Sequence, residues 1–145
     1  MPEDQKYLDS LVLFSAGMSC SKEGDYDAAI ERFDLAIKLF EERVERRDHK
    51  SAEAKSLCIA ALSLRGDAYK GKGDFDSAFA DYNEAISRHV GHVQAYMGRA
   101  ELYDLIGQRK RAIADYEKAL SVGPDMLPEY RQKCEDALKR LRIVH

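Results

Sequence analysis

Histidines three residues apart can share a metal ion, and His89 and His92 have that spacing. They flank Gly91 between two helical runs, where ordinary junction residues are expected instead. His49 and His145 are the other two histidines. Ser15, Ser19 and Ser21 could act as nucleophiles only beside a histidine and an acid, and no such set is recognisable. Gly71-Lys72-Gly73 falls at the end of a helical run and lacks the G-x-x-x-x-G-K-[ST] spacing of a phosphate loop. The acid pairs Asp25/Asp27 and Asp74/Asp76 each follow a glycine and open a helical run. There a carboxylate caps free amides and favours the helix dipole. Cys20, Cys58 and Cys134 are odd in number, far apart and without a C-x-x-C pair. They read as buried, reduced thiols in a reducing compartment. No enzyme, metal site or cofactor is expected.

The elements that position these residues are helical. The chain has 145 residues, of which 45% are hydrophobic, 34% charged and only 3 proline, with a net charge of −3. That suits one domain and argues against a nucleic-acid binder, whose footprint is usually basic. No apolar run is long enough to cross a membrane. The start, Met1-Pro-Glu-Asp-Gln, is too acidic for a secretory signal, so a cytoplasmic location is expected.

An internal repeat organises the chain. Gly24-Asp25-Tyr26-Asp27-Ala28-Ala29-Ile30 resembles Gly73-Asp74-Phe75-Asp76-Ser77-Ala78-Phe79 and, more weakly, Gly107-Gln108-Arg109-Lys110-Arg111-Ala112-Ile113. Gly73 and Gly107 are 34 residues apart. Apolar or small residues recur at steps of three and four before and after each glycine, giving two helices per copy. Glycine ends the first helix cheaply, and Asp25 or Asp74 caps the second. Gln108 predicts a weaker third cap. Small residues Ala29, Ala78 and Ala112 let paired helices approach, and Phe33, Tyr82 and Tyr116 fill the space alongside.

In these positions the sequence resembles the tetratricopeptide repeat (TPR) family. Copy one carries Leu13, Gly17, Ala29, Phe33 and Ala36, with Cys20 replacing an aromatic. Copy two carries Leu62, Gly66, Tyr69, Ala78, Tyr82 and Ala85; copy three carries Tyr96, Ala100, Tyr103, Ala112, Tyr116, Ala119 and the closing Pro124. The resemblance implies an all-α, right-handed α-solenoid of helix-turn-helix repeats, with about seven helices in a single domain over 1–145. Repeat one is expected at 7–57, repeat two at 58–91, repeat three at 92–125 and a capping helix at 128–143. In the capping helix Tyr130, Cys134, Ala137, Leu138 and Leu141 share one face, Pro128 suits the first turn, and a polar back keeps a solenoid end soluble.

Two departures from the family pattern carry predictions. Arg65 and Arg99 stand where a leucine is usual, each sixteen residues before an aspartate, Asp81 and Asp115. A structural Arg–Asp pair is predicted, with an anion site as the alternative. The first interval, Gly24 to Gly73, is 49 residues. The surplus predicts two helices each about two turns longer than usual, joined by a polar turn near Asp48–Ser51, with Ser51 as N-cap. This lengthening is similar, in architecture only, to the TPR domains of large immunophilins. The run Glu41-Glu42-Arg43 and Glu45-Arg46-Arg47 reads as a solvated face, or as a second docking surface.

The resemblance also places function. The first helix of each TPR repeat lines a concave groove, which here implies Leu11, Phe14, Ser15 and Met18, then Ser63, Leu64, Asp67 and Lys70, then Gln94, Met97, Glu101, Asp104 and Leu105, with Arg131 and Glu135 completing the wall. Co-chaperone TPR domains grip heat-shock chaperone tails with a carboxylate clamp of Lys, Asn, Asn, Lys and Arg. The corresponding residues here are Phe14, Met18, Leu64, Gln94 and Gly98, so those tails are not expected as ligands. The expected partner-binding set is Leu11, Phe14, Met18, Leu64, Asp67, Lys70, Gln94, Met97, Glu101 and Asp104: an apolar strip with an acidic border. It suits a peptide or helical segment of another protein carrying apolar anchors and some basic charge. Phe14 and Leu64 could instead pack between helices. The function expected is an adaptor or scaffold; the alternatives are a self-associating homo-oligomer and a subunit of a larger assembly.

Overall fold

A computed structural model describes residues 2–143. Seven helices follow one another: α1 (Pro2–Lys22), α2 (Tyr26–Glu45), α3 (Ser51–Lys72), α4 (Phe75–Arg88), α5 (Val93–Leu105), α6 (Arg109–Val122) and α7 (Pro128–Arg142). The chain forms two compact units, 2–81 and 82–143, whose boundary falls within α4. His145 lies outside the described residues.

In unit 1, α1 packs on α2 and α2 on α3. The core holds Phe33, Phe40, Ala29, Ala36, Cys58, Ala61 and Leu62. Gly17 lets α1 lie against Phe33: a Cβ there would come within 2.6 Å of the ring, a clash that a packed core relieves only by shifting. Asp25 accepts from the Ala28 amide at 3.2 Å, and Asp74 accepts from both the amide and the hydroxyl of Ser77. Those two bonds hold the Asp74 carboxyl below its usual range. Each of the three turns between paired helices contains a glycine at positive φ, Gly24, Gly73 or Gly107, where a side chain would be strained.

The long hairpin is present: α2 spans 20 residues and α3 22, against 14 for α4 and α6. Its turn differs from expectation in one detail. Ser51 does not cap α3. Lys50 is the N-cap residue, without a side-chain bond, while the Ser51 hydroxyl donates to the Arg43 carbonyl. Asp48 fastens the turn by accepting from the Lys50 amide at 2.9 Å.

Nor is the charged run entirely solvated. Arg43 is only 4% exposed. Its guanidinium pairs with Asp48 at 2.8 Å and Asp4 at 3.5 Å and lies over the Tyr7 ring. The reason is α1, which begins at Pro2, ahead of the expected start of repeat one, and covers this end of the hairpin. Burial and the neighbouring Glu53 push the Tyr7 hydroxyl up to about 12.

Unit 2 packs α5 on α6 and α6 on α7. Its core comprises Tyr96, Met97, Ala100, Ala112, Tyr116, Ala119, Cys134, Ala137, Leu138 and Leu141. Gly98 leaves room for Tyr82, whose ring an added Cβ would overlap. Gln108 makes no side-chain cap at α6, as its chemistry predicts. Burying Leu138 and Leu141 contributes roughly 1.5–3 kcal/mol each, which holds α7 in place. None of the three cysteines is in a disulfide; Cys58 and Cys134 are buried, but Cys20 is only partly covered.

Candidate binding surface

The two arginines that depart from the repeat pattern are structural clasps. Arg65 makes a two-pronged bond to Asp81, at 2.8 and 2.7 Å, and a third bond to Asp34 at 2.7 Å. Arg99 repeats the fork on Asp115, at 2.7 and 2.8 Å, and donates to Asn83 at 2.9 Å. Asp81 and Asp115 are buried. Parallel donors aimed at one carboxylate make this among the stronger polar contacts available to a protein. The forked bond to Asp81 raises the Arg65 guanidinium still further above its ordinary value, against the opposing effect of burial. With both carboxylate oxygens engaged, neither clasp presents an open anion site.

The expected binding set divides between the units. Leu11, Phe14 and Met18 stand on α1, and Leu64, Asp67 and Lys70 on α3, all in unit 1. Met18 is 43% exposed, while Leu11 and Leu64 are half-buried. Phe14 is largely a packing residue, set edge-on to Phe33 and Phe40 at 6.2 and 6.1 Å. Asp67 and Lys70 approach one another at 4.0 Å, so part of this acidic border is offset within the helix.

Gln94, Met97, Glu101 and Asp104 belong to α5 in unit 2. Gln94 is exposed. Met97 is not available for docking; it is 6% exposed and lies in the unit 2 core. The helix register that would aim it outward places it instead against the helices that α5 packs on. Glu101 and Asp104 are taken up by α7, through Lys133 at 3.1 Å and Arg140 at 2.6 Å. These pairs wall a pocket of about 490 Å³ with Leu105 and Tyr116. Burial, reinforced by Glu101 and Asp104, raises the Tyr116 hydroxyl well above its ordinary value. The acidic border is therefore neutralised in unit 2. Sequence spacing identified α7 as a cap, but not the two basic side chains that it turns toward α5. Arg131 donates to the Pro124 carbonyl at 2.6 Å, and Glu135 is exposed.

His89 and His92 come close, with ring centroids 6.2 Å apart. Burial, then the nearby His89, lowers the His92 imidazole below its usual value. Among the described residues no group of three metal-ligating side chains forms, and no helix is long and apolar enough to cross a membrane.

Comparison with known proteins agrees with this architecture. The tetratricopeptide repeat family matches residues 63–127 and, separately, residues 12–43. The chain is 28% identical over 115 residues to Protein KINESIN LIGHT CHAIN-RELATED 2 of Arabidopsis thaliana, covering 73% of the chain and 16% of that protein. It is 27% identical over 120 residues to the Hsp70-Hsp90 organizing protein of Triticum aestivum, covering 75% of the chain and 21% of that protein. The chain thus spans about a fifth or less of these relatives. Among solved structures, the Arabidopsis OM64 TPR domain superposes with a TM-score of 0.73 at 23% identity, covering 94% of this chain and 97% of that one. The first TPR of Spaghetti (RPAP3), bound to the HSP90 peptide SRMEEVD, gives 0.66 at 22% identity, with 93% and 94% covered.

Proposed function

The chain belongs to the tetratricopeptide repeat family, and we propose that it serves as a non-enzymatic, cytoplasmic adaptor that docks an apolar segment of another protein on the α1–α3 face of unit 1. The observation that carries this reading is Met18, 43% exposed on α1, with Leu11 and Leu64 half-covered and Asp67 exposed. Such a surface takes an extended or helical segment through one or two apolar anchors, with a basic residue near Asp67. Methionine adapts its shape to varied apolar groups.

Chaperone tails fit this face poorly. The Spaghetti domain holds the acidic peptide SRMEEVD, but the five positions where the family's clamp would stand are Phe14, Met18, Leu64, Gln94 and Gly98 here. None supplies a cation, so each carboxylate of such a tail would lose its charge-assisted bonds.

Peptides selected from a random display library on the purified chain test both points. The selected peptides are expected to carry an apolar anchor and a basic residue, to lose at least about tenfold in affinity on Met18→Glu or Leu64→Glu, a cost near 1.4 kcal/mol, and to outcompete SRMEEVD. Tight binding of SRMEEVD, or selected peptides indifferent to both substitutions, would refute the reading.

A further inference from the structure

The chain makes the same turn three times, with Gly24, Gly73 and Gly107 each at positive φ, but the third turn carries a different surface. Just ahead of the glycine stand Lys22-Glu23 in the first copy, Gly71-Lys72 in the second and Leu105-Ile106 in the third. Just inside the following helix stand Tyr26-Asp27-Ala28, then Phe75-Asp76-Ser77, then Arg109-Lys110-Arg111. Leu105 is 63% and Ile106 45% exposed; Lys110 and Arg111 are exposed as well. The fold needs neither change, since it makes the other two turns without them. Both changes work against it. Large apolar side chains face water, and three cations crowd the first turn of α6, where the helix dipole disfavours positive charge. Where a sequence breaks local rules in this way, function is the usual reason.

We propose that this turn docks unit 2 on the surface of an anionic lipid bilayer. Leu105 and Ile106 enter the boundary below the headgroups, and Arg109, Lys110 and Arg111 meet the headgroup phosphates and carboxylates. The charges agree. The first turn of α6 holds no acid, and Asp104, beside Leu105, is held by Arg140 at 2.6 Å. Arg111 lies over the Tyr103 ring at 5.8 Å, a contact that steadies the guanidinium without neutralising it. A pocket of about 410 Å³ at the turn is lined by Gly107, Gln108, Arg109 and Lys110. That polar lining suits a headgroup phosphate rather than the apolar anchor of a peptide, and the apolar pair stands outside it. A bilayer, which takes charge and apolar surface in separate layers, therefore fits this turn better than an acidic protein segment. Two apolar side chains and a short basic run give a weak, reversible attachment, far short of a spanning helix. The α1–α3 face of unit 1 takes no part, so the inference stands apart from the adaptor reading.

Co-sedimentation of the full chain with vesicles of two parts phosphatidylcholine to one part phosphatidylserine, beside vesicles of phosphatidylcholine alone, tests it. Binding is expected only where phosphatidylserine is present, and it should decline as salt is raised. Lys110→Gln and Arg111→Gln are each expected to weaken it about fivefold, the share of one base near an anionic surface. Leu105→Ser combined with Ile106→Ser should weaken it at least as much, with the salt dependence unchanged. Lys55→Gln, at an exposed base on α3, should leave it unaltered, and every variant should keep the circular dichroism spectrum of the parent chain. A chain that does not bind the mixed vesicles overturns the proposal. So does binding that Lys55→Gln weakens as much as Lys110→Gln, which would make it a property of overall charge, or binding indifferent to the loss of Leu105 and Ile106. Tighter retention on immobilised polyglutamate than on the mixed vesicles would overturn it too, and would assign the turn to an acidic protein.

Discussion

In unit 1 the outermost helix, α1, packs on α2 and leaves Leu8 and Val12 exposed among polar residues on its outward side. In unit 2 the last helix, α7, buries Cys134, Leu138 and Leu141 and turns a face of Lys, Arg, Glu and Asp to solvent. The two units share one clasp, Arg65–Asp81 and Arg99–Asp115, yet finish differently. A polar back keeps an uncovered solenoid helix soluble, and on α1 the exposed Leu8 and Val12 interrupt it. A second difference separates the two halves of the expected binding set. On α3, Asp67 is offset by Lys70 of its own helix, while on α5 the acids Glu101 and Asp104 are matched from another helix, α7.

The strongest way to break this comparison is to truncate one apolar residue at each end. Leu138→Ala in α7 is expected to cost about 2–5 kcal/mol, the usual range for a buried leucine. Val12→Ala in α1 should stay within about 0.5 kcal/mol at low protein concentration. Urea denaturation of both variants decides it. Comparable losses would mean that the outward side of α1 is as much a core surface as the α7 face.

The clasps come next, because they differ in one partner. Arg65 serves two carboxylates, Asp34 and Asp81, while Arg99 serves Asp115 and the neutral Asn83. Arg65→Ala strands both acids close together and is expected to cost about 3–5 kcal/mol, the range for removing one partner of a buried pair. Arg99→Ala should cost less, and adding Asp34→Asn to Arg65→Ala should recover part of the loss. Denaturation midpoints of the four proteins check this. A double-mutant cycle in which Arg65→Ala and Asp81→Ala were additive would deny the coupling altogether.

A smaller effect sharpens the contrast between caps. Asp25 and Asp74 cap their helices, and Gln108 does not. Gln108→Asp supplies the missing acceptor to α6 and is expected to add about 1 kcal/mol, read as a rise in thermal midpoint. No gain would show that the Gln108 backbone holds a carboxylate out of reach of the α6 amides.

What the sequence revealed, and what it hid, follows from the range of each interaction. The helix pairs, the two longer helices, the aspartate caps and the Arg–Asp pairs were legible, because each rests on spacing within or between adjacent helices. Ser51 was misread because its hydroxyl has a competing acceptor, the Arg43 carbonyl, that only the folded turn brings near. Arg43 was misread because its partners Asp4 and Tyr7 lie on another helix, far along the chain. Met97 lies on a helix that is apolar on several sides, so periodicity alone could not choose its inward face. The Lys133 and Arg140 contacts depended on which way α7 is turned about its axis, which a pattern of buried residues fixes only loosely.

The smallest expected effect concerns the start of α5. His92 is the N-cap residue there but makes no side-chain cap, and its Nε2 is buried without a hydrogen-bond partner. Burial lowers its affinity for a proton, as does the neighbouring His89; a cation at a helix N-terminus is disfavoured as well. A histidine whose pKa is lower in the folded chain binds fewer protons there than in the unfolded chain. Stability is then full above the unfolded value, about 6.5, and is lost as pH falls from there through the lower folded value. The thermal midpoint of the chain is expected to decline over that window, ahead of the carboxylate titrations near pH 4. His92→Gln should flatten the decline. Equal slopes in the parent chain and the variant would place the proton-sensitive step elsewhere.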